Sequence, residues 1–473
     1  MVVKQQTALT QFNVYLAAFI ASFSATAATC VLSWINPTLP IITKPGSKIL
    51  VTDEQGAWIG SLPALGAAFG PFLTGRIVDR FGRKWTIIWV MVLLILSWGV
   101  MYFSDNMMVL YCSRFVAGVG VGCVYATLPM YVAEMAPCEL RGMLCSLLQF
   151  FDCIGYLIEY IVGAYVSYEN LIVVSAAMPL LCIFTILWIP ESPYHLHNKG
   201  KEAEALQALQ YFRGYADVST LQREIADMEA SARNMEVNKG SFTALFTNKG
   251  NLKCLYYSAT LIFFQQMSGI NIITFYSATI FEESGSSFDA NWCAIIVAIV
   301  MTFTSILTLI GAKIFRIKYL YAFSAVGEMF SMAALGTYFF LDESIAKSLD
   351  WLPLTSLVLF IFAYTSGFGP LVWVTTSEIF PSHLKALGCG LNASFCWLLS
   401  FFLTRYFVPF TKTFGQGVAF WGFGVFCVFA LVFVIFQLPD THRMTFQEIQ
   451  ELIQGNKDEK SITKKQGKSE VAA

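Results

Sequence analysis

Long stretches without Asp, Glu, Lys or Arg recur ten times along the 473-residue chain. They lie within Gln5–Thr43, Gln55–Gly75, Trp85–Ser104, Phe115–Ala133, Leu171–Ile189, Cys254–Phe281, Ala290–Ala312, Trp351–Ser377, Ala386–Thr404 and Thr413–Pro439. A helix needs roughly 20 apolar residues to cross a ~30 Å hydrocarbon layer, so each stretch is long enough to span. Two further apolar runs are interrupted by acids: Gly142–Val166 by Asp152 and Glu159, and Tyr319–Leu341 by Glu328. Together these runs predict twelve crossing helices. With both termini in the cytosol, the outward loops hold only Lys44, Lys48, Lys347 and Lys412 of the 30 basic residues, and Arg114 and Arg405 fall within spans. That asymmetry is the usual orientation signal.

The one long polar segment divides the chain. The predicted organisation is a six-helix half over 1–189, a cytosolic linker over 190–251, a second six-helix half over 252–438, and a tail over 439–473. Within the linker, Lys201–Phe212 and Thr220–Met235 have helical spacing. The tail beyond Gly455 has the composition of disordered chain. The halves echo each other: Glu134-x-x-Pro137-x-x-x-Arg141 returns as Glu378-x-x-Pro381-x-x-x-Lys385, and Pro190-Glu191-Ser192-Pro193 is answered by Pro439-Asp440-Thr441. A two-fold repeat predicts a substrate site at the midplane where the halves meet.

Composition agrees with the pattern. Charged residues are 13% of the chain, against about 25% in soluble domains. Mean hydropathy is +0.61. A net charge of −1 says nothing about nucleic acid, and with no basic cluster with interleaved aromatics to suggest it, no nucleic-acid partner is expected. The 12 cysteines lie mostly inside apolar runs without metal-ligand spacing, and the 4 histidines are scattered. No nucleophile or metal constellation is visible, so neither enzymatic activity nor a cofactor is expected. No cleavable leader is expected either; the internal spans direct their own insertion.

Seven motifs in order give the chain a resemblance to the sugar porter family of the major facilitator superfamily. They are Gly75–Lys84 (Gly-Arg-Ile-Val-Asp-Arg-Phe-Gly-Arg-Lys), Arg114-Phe115-x-x-Gly118-x-Gly120, Pro129-x-Tyr131-x-x-Glu134-x-x-Pro137-x-x-x-Arg141-Gly142, Pro190-Glu191-Ser192-Pro193, Gln265-Gln266-x-Ser268-Gly269-Ile270-Asn271, Gly367-x-Gly369-Pro370-x-x-Trp373-x-x-x-x-Glu378-x-Phe380-Pro381, and Pro439-Asp440-Thr441. Within that family the chain is similar to animal facilitative hexose carriers and insect-type facilitated trehalose transporters. The resemblance implies a multi-pass carrier of the plasma membrane that moves glucose, trehalose or a similar sugar by alternating access. Gln149, Gln265, Gln266 and Asn271 correspond to the family's sugar-binding amides, and Trp373 to its sugar-stacking aromatic. Side-chain amides suit a polyol because they both donate and accept without charge. Asp79, Arg80, Arg83, Glu134 and Arg141, with Glu378, Lys385 and Arg316 in the second half, correspond to its cytosolic charge network, a two-state gating element.

The chain also departs from the family. Cys396 precedes Trp397 where Asn-Trp is common, with Asn392 one turn earlier. Val300-Met301 stands where hexose carriers have an asparagine. Asp152 lies three residues after Gln149 and four before Tyr156, on one helix face, and ~16 Å above Arg141. An acid at that depth is costly and usually functional. It either lines the cavity, accepting sugar hydroxyls or a proton, or is a neutral acid bonded between helices. Proton-coupled relatives carry an Asp on helix one; the first span, Phe12–Ile35, has no ionisable residue, which favours facilitated diffusion. Proton symport through Asp152 is the alternative, and a non-transporting sugar receptor is the third reading. Arg114 and Glu159 fall at similar depth and are expected to pair.

Overall fold

A computed structural model describes residues 2–44, 49, 51–214, 221, 224–226, 242–381 and 384–439. All regular structure among them is helical. Among the described residues, ten helices are long and apolar enough to cross a membrane. The two other predicted crossings take different forms. One is the pair Lys249–Met267 and Ile270–Glu283, separated at Ser268-Gly269. The other is Ile317–Tyr338, whose Lys318 and buried Glu328 lower its apolar character.

Local chemistry sets the helix boundaries. Helix Asp53–Phe81 opens with a capping box in which Thr52 and Gln55 satisfy each other's backbone N–H groups, and Asp53 and Glu54 sit in its positive first turn. It stops at Gly82, whose φ of +97° favours glycine. Helix Met107–Met135 is capped by Asn106 and helix Tyr168–Ile186 by Ser167. The linker helix expected at Lys201–Phe212 is found at Glu202–Phe212. The stretch expected at Thr220–Met235 and the tail after Pro439 fall outside the described residues, apart from 221 and 224–226.

Four glycines, Gly66 and Gly70 on one helix and Gly118 and Gly122 on the other, explain how helices Asp53–Phe81 and Met107–Met135 pack. A Cβ on Gly66 would collide with the Phe115 carbonyl, and on Gly70 with Gly122; Gly118 and Gly122 press in turn on Pro63 and Ala67. Small residues four apart let the two backbones touch, which is how apolar helices associate inside lipid.

The chain forms two compact units. The first comprises Met1–Asn234 with Asn271–Ser305 and Trp397–Gly415; the second comprises Met235–Ile270, Ile306–Cys396 and Gln416–Ala473. In the first unit, Asn36 donates to Ser277 Oγ (3.0 Å) and accepts from the Ala278 N–H (2.9 Å). Tyr160 donates to the Thr274 carbonyl. Arg405 pairs with Glu54 at 3.1 Å and Lys412 with Asp53.

In the second unit, two apolar runs that read as single spans are broken. Gly269, at φ +90°, turns the chain after Gln266, with the Phe423 ring against it. Gly367 separates helix Leu352–Ser366 from Phe368–Ile379.

Candidate functional site: polar residues within the apolar helices

Asp152 lies in helix Leu147–Tyr165 of the first unit and is buried. Its Oδ1 accepts the Thr29 hydroxyl at 2.8 Å and the Tyr125 hydroxyl at 2.7 Å. Oδ2 has no hydrogen-bond partner among the described residues. Tyr125 packs edge-on to Trp397, with ring centroids 5.5 Å apart. Close approach makes this geometry possible: Gly155, three residues on, meets Thr29 with no room for a Cβ. Gln149 is half-buried on the same face, its amide 3.8 Å from Cys153 Sγ. Asn271 is half-buried just beyond the helix break, ahead of the buried Phe275 and Tyr276.

Gln265, Gln266 and Trp373 belong to the second unit. The Gln265 NH2 donates to the carbonyls of Phe368 (2.9 Å) and Gly369 (3.0 Å), while its buried Oε1 has no partner among the described residues. Gln266 donates to Cys396 Sγ at 3.0 Å, so the cysteine occupying the family's asparagine position is in direct contact with a candidate amide. Asn392 donates to Ser258 instead (2.7 Å). Trp373 is part-exposed.

Of the predicted charge network, Arg83 and Glu134 are brought together at 2.8 Å, both largely buried. Three residues of the Pro190–Pro193 motif complete the cluster. The Tyr131 hydroxyl donates to the Pro190 carbonyl, and Ser192 donates to Glu134. The Glu191 carboxylate accepts the backbone N–H groups of Arg83 (3.0 Å) and Lys84 (3.1 Å), anchoring the open N-terminus of helix Arg83–Phe103. Arg83 also donates to His195 Nδ1 at 3.2 Å. An arginine can only donate, so this ring nitrogen is unprotonated; burial pushes the imidazole below its ordinary pKa. Asp79 and Arg80 are exposed, with Arg80 over the Phe81 ring. Among the described residues the Arg141 side chain has no ion-pair partner. Glu378 is half-buried and Lys385 exposed, close enough to act on it without forming an ion pair.

The expected Arg114–Glu159 pair does not form. Both are fully buried. Arg114 donates to the carbonyls of Val31 (2.7 Å) and Ile59 (3.1 Å) and covers the Trp34 ring; Glu159 accepts from Ser175 at 2.7 Å. The reason is a proline. Pro63 has no N–H to give the carbonyl four residues earlier, so Ile59 presents a free acceptor, and the guanidinium takes it.

The family model described as "Sugar (and other) transporter" matches residues 6–453. The chain belongs to the sugar transporter family. A facilitated trehalose transporter Tret1-2 homolog of Drosophila simulans is 32% identical over 448 residues, covering 94% of this chain and 91% of the relative. A facilitated trehalose transporter Tret1 of Polypedilum vanderplanki is 33% identical, over 86% of this chain and 81% of its own. Among solved structures, the E. coli xylose transporter XylE in a partially occluded inward-open conformation matches with a TM-score of 0.75 at 23% identity, covering 92% of this chain and 99% of that one. The fold is therefore the major facilitator fold. This member of the sugar transporter family is a multi-pass protein of the cell membrane, and a transporter rather than an enzyme.

Thr29, Tyr125, Glu191, Ser192 and His195 are the polar neighbours that sequence reasoning did not assign. For Glu191 and Ser192 the Pro190–Pro193 motif was a visible signal without a visible role, and His195 stood only as one of the scattered histidines. Thr29 and Tyr125 carried none, because isolated hydroxyls are ordinary in membrane helices.

Proposed function

We propose that this sugar transporter moves a hexose or a disaccharide such as trehalose by facilitated diffusion, through alternating access. The side chains proposed to contact sugar are Gln149, Asp152, Asn271, Gln265, Gln266 and Trp373. Twelve crossings result if Lys249–Glu283 and Ile317–Tyr338 span beside the ten apolar helices, with termini and linker cytosolic and the six-helix halves 1–189 and 252–438 as the repeat. The relatives' names support trehalose as the first sugar to try.

The observation that carries the reading is Gln265. Its carbonyl oxygen is buried and unpartnered beside a helix break, a group suited to a sugar hydroxyl. Arg114 supports uniport, since backbone carbonyls hold it and the first helix offers it no carboxylate. The gating element is the Arg83–Glu134 pair with Glu191, with Asp79, Arg80, Arg141, Glu378 and Lys385 as the further charges that engage in the alternate state.

A second reading, proton symport, rests on the buried Asp152 carboxyl. Uptake of labelled trehalose and glucose into proteoliposomes, with and without an imposed proton gradient, tests both. Equilibration indifferent to the gradient is expected. Accumulation that a protonophore collapses would establish symport, and uptake of neither sugar would overturn the substrate assignment.

A further inference from the structure

Glu328 is a buried acid, 2% exposed in the middle of helix Ile317–Tyr338. A carboxyl at such a position is costly unless its surroundings use it. Ser324, one turn earlier on the same helix face, donates its hydroxyl to Glu328 Oε1 at 2.6 Å. A helix serine ordinarily bonds back to its own i−4 carbonyl. Here the acid takes that hydrogen instead, and the serine oxygen is turned toward the neighbouring chain.

What it meets there is the break in the next span. The backbone N–H of Phe368, the first residue of helix Phe368–Ile379, donates to Ser324 Oγ at 3.1 Å. This is one of the orphan donors that every helix start leaves. The approach depends on Gly367, where a Cβ would lie 2.5 Å from both the Leu320 carbonyl oxygen and Ser324 Cβ. On the far side of the same residues, the Phe368 and Gly369 carbonyls accept both hydrogens of the Gln265 amide. Two acceptors fix which end of the amide faces them: the NH2 points at the helix, and Oε1 points away as an acceptor only. The Ser268 hydroxyl, at the break that follows Gln265 and Gln266, donates to the Gln265 backbone carbonyl at 2.8 Å, and Cys427 Sγ lies 3.9 Å from Glu328 Oε2.

We infer that Glu328 is a positioning residue for the sugar site. Through Ser324 it fixes the start of the Phe368 helix, and that helix start holds Gln265 with its carbonyl oxygen presented to a sugar hydroxyl. The inference rests on the reading that Gln265 contacts sugar. It adds that this contact is one-directional: the sugar donates and Gln265 accepts.

Two measurements on the full-length carrier in nanodiscs and proteoliposomes test it. In hydrogen exchange, Glu328→Met is expected to speed exchange of the Phe368–Gly369 amides, and Glu328→Gln, which still offers Oε1 to Ser324, is not. In trehalose and glucose uptake at matched protein amounts, Glu328→Met is expected to raise KM about fivefold, the factor one hydrogen bond commands. Glu328→Gln is expected to stay within about twofold of wild type. In a Gln265→Ala background, Glu328→Met is expected to add nothing, because the link it acts through is gone. Ser324→Ala, which removes the middle link alone, replaces Glu328→Met if that variant does not fold. Unchanged amide exchange overturns the inference whatever the transport result. So does a KM effect that persists in full without Gln265. If wild type carries neither sugar, the substrate reading fails while the exchange measurement still decides the relay.

Discussion

A carboxyl inside an apolar run has to find partners, and Asp152 finds them in Thr29 and Tyr125. Both bonds fall on Oδ1, which leaves the second oxygen for a ligand. Asp152→Asn keeps an oxygen for Thr29 and Tyr125 but replaces the other acceptor with a donor. The expected outcome is an about tenfold rise in sugar KM, in line with losing one hydrogen bond to a charged group, with the maximal rate kept and gradient independence unchanged; uptake kinetics check it. Asp152, Glu159 and Glu328 were legible in the sequence because an acid among twenty apolar residues stands out. Their partners were not: Thr29, Ser175 and Ser324 are hydroxyls of a kind that bond back to their own helix in this chain, as Ser258, Thr404 and Ser175 itself do, and Tyr125 is one of 20 tyrosines. The Arg114–Glu159 pairing failed for a reason that was written in the chain: Pro63, four residues past Ile59, frees the carbonyl that captures the guanidinium.

At the scale of elements, apolar run length located the helices well, because burying a backbone in lipid forces it to satisfy itself. Run length carries no information about interruptions. Ser268-Gly269 could be read as a loosened turn, but Gly367, though part of a quoted motif, gave no sign of a break in a run that looked continuous. What distinguishes it is the neighbouring backbone at Leu320, which no single-sequence pattern reveals. The glycines of helices Asp53–Phe81 and Met107–Met135 make the same point with a sharper test. Gly122→Val would drive a side chain into the Ala67 backbone, and overpacking of this kind costs about 1–3 kcal/mol or more. Gly99→Val meets nothing within 4 Å and serves as the control. Thermal unfolding of the detergent-purified carrier is expected to show a clear drop for the first and no change for the second.

At the scale of the molecule, the Arg83–Glu134–Glu191 cluster ties three sequence-distant segments together, and His195 makes it sensitive to pH. Burial holds the imidazole below the ordinary histidine range, and its Nδ1 accepts from Arg83, so the fold selects the neutral ring. The unfolded chain takes up this proton first as pH falls. The stabilisation is therefore present above about pH 6.5 and is lost as pH drops through the depressed native value. His195→Gln cannot titrate, so thermal stability measured across pH 5 to 8 is expected to fall less steeply on the acid side than in wild type.

The first compact unit is also assembled out of chain order. Asn36 bonds Ser277, 241 residues later, and Glu54 bonds Arg405, 351 residues later. At a synthesis rate of about 5–20 residues per second, Asn36 waits roughly 12–48 s for its partner, and Glu54 waits longer still. During that interval a buried-to-be amide stands in a newly inserted helix with its native acceptor not yet made. The nascent carrier thus passes through a period in which its first six apolar helices are complete in sequence but chemically unfinished, and water or another polar group outside the native fold satisfies Asn36 and Glu54 until Ser277 and then Arg405 are made.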